Sequence, residues 1–88
     1  MKLNMKEELP KNEQGAAIID DNIKEIIENI SNEVNAINEY VDQMKNWTSN
    51  TYISDREYKA MQYNISRIIG GGYRIVENGR NLREYFDV

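Results

Sequence analysis

The feature that most constrains this chain is a run of apolar residues at Ile23, Ile27, Ile30, Val34, Ile37, Val41 and Met44. Steps of four and three residues, repeated without a miss, keep side chains on one stripe of an α-helix. A second column lies beside that stripe at Ile19, Ile26, Tyr40 and Trp47, with Glu33 as its exception. The spacing predicts one helix over residues 17–47, with Asp20 and Asp21 in its first turn, where the helix dipole favours carboxylates. Pro10, Asn12 and Gly15 fall in a flexible leader, residues 1–16, ahead of it.

The stretch TSNTYI, residues 48–53, reads as a turn. Ser54 and Glu57 follow at the spacing of a capping box, which satisfies free amides where a helix begins. The pattern then resumes at Tyr58, Met61, Ile65, Ile68, Gly72, Ile75, Gly79, Leu82 and Phe86. It runs straight through Gly70, Gly71 and Gly72, although each glycine costs a helix interior about 0.8–1 kcal/mol relative to Ala. The spacing predicts a second helix over 54–77, a break at Asn78-Gly79 and a short terminal helix at 80–86. The fold class is therefore all-α: an antiparallel helical hairpin, residues 17–88, with a short C-terminal helix.

Folding the chain at residues 50–51 sets Val34 near Ile68, Ile30 near Gly72 and Ile23 near Gly79. Gly72 then lies on the seam, while Gly70 and Gly71 point away from it. Ile19, Ile26, Trp47, Ile69 and Val76 are left as an apolar flank wider than a soluble monomer normally exposes. Two helices of this length also make a small core. Both points predict assembly into a helical-bundle homo-oligomer.

The chain has 88 residues and contains neither Cys nor His. That removes disulfides, thiol nucleophiles, zinc ligation and the commonest general base, so the expectation is a non-enzymatic binding protein without cofactor or metal. With no signal-peptide pattern and no long apolar run, the expected place is the cytoplasm, with no membrane partner. Residues 1–47 carry five Lys, no Arg and ten acids, whereas residues 48–88 carry one Lys, five Arg and five acids. The overall charge of −4 opposes a nucleic-acid partner. Confinement of every arginine to the second half marks that half for recognition.

Candidate ligand-binding residues lie around the glycines. On the outer face of the second helix, Tyr63, Arg67, Gly70, Gly71, Arg74 and Asn78 follow one another at helical spacing, with Tyr73 beside them. Guanidinium groups suit phosphate, an aromatic face suits a base, and bare backbone allows close approach. The same residues also fit a packing role, with the glycines relaxing a crowded contact and the arginines solvated or paired with Glu77 and Glu84. A second reading gives the chain to protein partners. Glu25, Glu28, Glu39 and Asp42 on the first helix form an acidic surface that could cover a basic one, as an interaction module or inhibitor.

The segment SDREYKAMQYNISRIIGGGYRI, with Ser54, Arg56, Ile65 and Arg74, resembles the helical-hairpin family of phage sponges against cyclic-nucleotide immunity, the anti-CBASS and anti-Thoeris proteins. The resemblance spans residues 20–76. It implies a compact oligomer that sequesters a cyclic di- or trinucleotide between subunits without cleaving it, and it marks Arg56 and Arg74 as ligand contacts. The triple glycine and the Lys-poor second arm depart from that pattern.

Overall fold

In the computed structural model, which describes residues 9–86, two long helices lie antiparallel, the longer spanning about 44 Å. Helix α1 is Asp21–Trp47 and helix α2 is Asp55–Arg83. Residues 1–8 of the expected leader, together with Asp87 and Val88, lie outside the described residues. Among those described, no helix is long and apolar enough to cross a membrane.

Helix α1 starts four residues later than the apolar spacing predicts, because Asp20 caps it. The Asp20 carboxylate accepts from the Ile23 amide at 3.0 Å while its own backbone is extended. Residues 10–18 form a small turn instead of a first helical turn. The Asn12 side chain accepts from the amides of Gln14 and Ala16 at 2.9 and 3.0 Å, and Gly15 takes a φ of +83° that side chains disfavour. The Ile18 amide closes the turn on the Pro10 carbonyl at 2.8 Å.

At the other end of α1, the Thr48 hydroxyl donates to the Met44 carbonyl at 2.7 Å and ends the helix. The capping box at α2 is complete. Ser54 Oγ accepts from the Glu57 amide at 3.1 Å, and Glu57 accepts from the Ser54 amide at 2.9 Å.

Helix α2 then runs unbroken through Gly70–Gly72 and also through Asn78-Gly79 to Arg83. The break expected at Asn78-Gly79 and the separate helix at 80–86 are thus corrected. The Asn78 amide group donates back to the Arg74 carbonyl at 2.8 Å, so it braces the helix rather than capping it. Leu82 and Tyr85, half-buried, keep the last turns on the seam.

The seam itself is displaced from the one the spacing suggests. Ile23, Ile30, Ile37 and Met44 face α2 as expected, but Ile27, Val34 and Val41 are exposed. Their place is taken by Ile26, Glu33, Tyr40 and Trp47, all at least half-buried. On α2 the seam holds Met61, Asn64, Ile68, Gly71, Ile75 and Asn78, while Tyr58, Ile65 and Gly79 lie to one side. The physical reason is that each helix offers two columns beside a shared one. Tyr40 and Trp47 bury more area than the valines opposite them in the choice, and Gly71 admits α1 closely on the matching column.

Register moves as well. The observed contacts join Ile37 to Gly71, Glu33 to Arg74 and Gln43 to Asn64. Residue numbers in these pairs add to 107 or 108. The fold point therefore sits near Ile53-Ser54 instead of 50–51, and α2 overhangs the end of α1 by about one turn.

Candidate binding surfaces

Ile23 is the one fully buried apolar side chain among the described residues. Specificity in the seam accordingly comes from polar groups. Asn64, 3% exposed, donates to Gln43 Oε1 at 3.0 Å and to the Tyr40 carbonyl at 3.4 Å. A hydrogen-bonded asparagine at a seam position fixes register, because any slip would bury its amide unpaired. Seven residues on, Gly71 occupies the same column. A Cβ there would lie 3.1 Å from Ile37 Cδ1 and 3.3 Å from Glu33 Oε1.

Arg74 reaches over this contact to Glu33. Its Nε donates to Oε2 at 2.6 Å and its Nη2 to Oε1 at 3.2 Å. This bidentate bond, helped by the guanidinium charge and opposed by partial desolvation, holds the Glu33 carboxyl below its ordinary pKa.

These contacts place the candidate ligand residues one by one. Tyr63 and Arg67 do meet, with the guanidinium carbon 5.1 Å from the ring centroid. Gly70 lies beside Arg74, whose Nη1 would be 3.5 Å from an added Cβ. Gly71, read as part of an outward patch, is buried in the seam, and Gly72, read as a seam residue, has nothing within 4 Å of an added Cβ. Helical geometry reverses the two, because the seam runs one column over. Tyr73 is exposed on the outward side, and Arg56 stands 18 residues before Arg74, roughly 27 Å along α2. The candidates thus form two local pairs, Tyr63–Arg67 and Gly70–Arg74, with Arg56 and Tyr73 apart.

Glu33, Asn64 and Gln43 are not marked as functional by the sequence pattern. Glu33 carried a signal, as the single charge in an otherwise apolar column.

The two sides of the hairpin differ in chemistry. Arg74, Gln43 and the open cleft lined by Asn22, Glu25, Ile26, Asn81, Glu84 and Tyr85 lie on one side, the polar flank. Among the described residues, no cluster of His, Cys, Asp and Glu is placed to hold a metal. On the opposite side, Ile27, Val34 and Val41 of α1 run level with Gly79, Gly72 and Ile65 of α2. Tyr58 and Phe86 continue that α2 column at either end, and Ile69 and Val76 widen it; Ile27, Ile69, Val76 and Tyr58 are each more than half exposed. Lys24, Lys45, Asp55 and Arg83 are the charges bordering this flank, all toward its ends. The remaining carboxylates of α1, Asp21, Glu25, Glu28, Glu39 and Asp42, face elsewhere and are exposed.

No protein-family model matches the chain, and the comparisons with characterised proteins and with solved structures return no match.

Proposed function

We propose that this hairpin is a non-enzymatic interaction module that docks against protein through its apolar flank. The observation that carries the reading is the sorting of charge. Charged residues make up 30% of the chain, yet the middle of this flank, from Ile27 to Val41 and from Tyr58 to Gly79, has none. Depletion of charge around exposed branched and aromatic side chains is what separates the core of a protein interface from ordinary surface. The acidic back of α1 stays in solvent under this reading and favours basic surfaces as neighbours.

A second reading is sequestration of a cyclic oligonucleotide, and Arg67 stacked over Tyr63 favours it. A guanidinium on a ring, with Arg74 seven residues along the same side, could grip phosphate and base together. Two features oppose it: Gly71 offers no bare backbone to a ligand, and Arg74 is already engaged by Glu33.

Calorimetric titration of the full chain with a panel of cyclic di- and trinucleotides separates the two. The interaction reading expects no saturable heat from any of them. A nucleotide that binds saturably, and stops binding in Arg67→Ala, would replace it with the second reading.

A further inference from the structure

Two glycines on the apolar flank have no use within the hairpin. A Cβ at Gly72 or at Gly79 would meet nothing within 4 Å, so neither is bare for the sake of α1, as Gly71 is. Both nonetheless lie within α2, Gly72 well inside it and Gly79 four residues before its end, where glycine is the poorest helix former after proline. They are also level with branched residues on the neighbouring helix. The seam contacts align Val34 with Gly72 and Ile27 with Gly79. The flank therefore carries two knobs on α1 and two hollows on α2, seven residues apart in each case.

We propose that the occupant of this flank is a second copy of the same chain, which names the partner for the interaction reading and rests on it. A two-fold axis running along the hairpin lays α1 of each protomer on α2 of its partner. Val34 then seats at the partner's Gly72 and Ile27 at the partner's Gly79, large against small at both levels. Isologous pairing of this kind needs one surface that complements itself, and this flank does so at these two levels, while Val41 meets the partner's Ile65 as two apolar side chains at the third.

The charges bordering the flank, Lys24, Lys45, Asp55 and Arg83, all lie toward its ends, so its uncharged middle suits an equally uncharged surface, which a second copy supplies.

The test is light scattering on the full chain and three variants, with far-UV circular dichroism to follow the fold. Wild type should show about twice the 10.3 kDa chain mass. Gly72→Leu points into open space in the hairpin and improves helix propensity, so helicity should hold or rise. If a second copy fills that hollow, the same change should drive the mass toward a single chain, and Val34→Glu should do likewise. Asn29→Glu, on the polar flank, should leave the assembly intact. A wild-type chain at the single-chain mass would overturn the pairing while leaving the flank to a partner of different sequence. A Gly72→Leu variant that assembles as well as wild type, or better, would also overturn it, since mere stickiness grows with added apolar area. Nucleotide binding lost in Arg67→Ala, by contrast, defeats the interaction reading itself.

Discussion

Arg74 of α2 grips Glu33 of α1 with two nitrogens, at 2.6 and 3.2 Å, directly over the point where Gly71 meets Ile37. The glycine lets the helices close, and the ion pair covers the contact from the polar side. Glu33 is the more covered partner, with a side chain 22% exposed against 55% for Arg74.

Acid sensitivity follows from this pair. A carboxyl whose pKa is lowered on folding adds stability that is fully present above its unfolded value, about 4.3. That contribution disappears as the pH falls through the lower, folded value. Thermal melts from pH 7 to pH 3 should therefore show a steeper loss in wild type than in Glu33→Gln. Parallel profiles for the two proteins would remove Glu33 from the acid response.

Asn64 gives a prediction with two signs. Asn64→Ala removes the buried amide with its bonds to Gln43 and the Tyr40 carbonyl and leaves a void, and should cost about 1–3 kcal/mol in chemical denaturation. Asn64→Leu replaces the polar group with one that packs, and should be neutral or stabilising while relaxing register. Heteronuclear spectra of Asn64→Leu should then show extra or broadened amide signals in the seam. A single sharp set would mean that the asparagine does not specify the register.

The adjacent glycines should respond differently to one methyl group. Gly70→Ala meets only the mobile end of Arg74 and should stabilise the helix by about 0.5–1 kcal/mol. Gly71→Ala places its methyl against Ile37 and should forfeit that gain, and Gly71→Val should cost about 1–3 kcal/mol by overpacking. Denaturation midpoints for the three variants check the order. Equal stabilisation at 70 and 71 would put the seam elsewhere.

Much of the hairpin was legible before any coordinates. The spacing from Ile23 to Met44 and from Tyr58 to Ile75 marks two helices, and Ser54 with Glu57 marks where the second begins. Continuity through the glycines followed from periodicity alone. Which column makes the seam was not legible, because Ile23, Ile30 and Ile37 are shared by two candidate stripes. The choice depends on a pairing across the hairpin, of Glu33 with Arg74 and of Tyr40 with Asn64. That pairing depends on register, which is set by how far the 48–54 connection carries the chain, a distance no periodicity encodes. Gly71 and Gly72 exchanged roles for the same reason. The spacing marks the apolar flank through Ile69 and Val76 but places its α1 half, Ile27, Val34 and Val41, in the core.

The concentration dependence of the melting temperature tests most directly whether the apolar flank is covered by a second copy. Linkage makes an assembled protein melt higher as it is concentrated. For chains of this size a tenfold increase should raise the midpoint by roughly 3–5 °C. The account predicts that shift in wild type and its loss in Val34→Glu. A wild-type midpoint that stays fixed from micromolar to millimolar chain would contradict it.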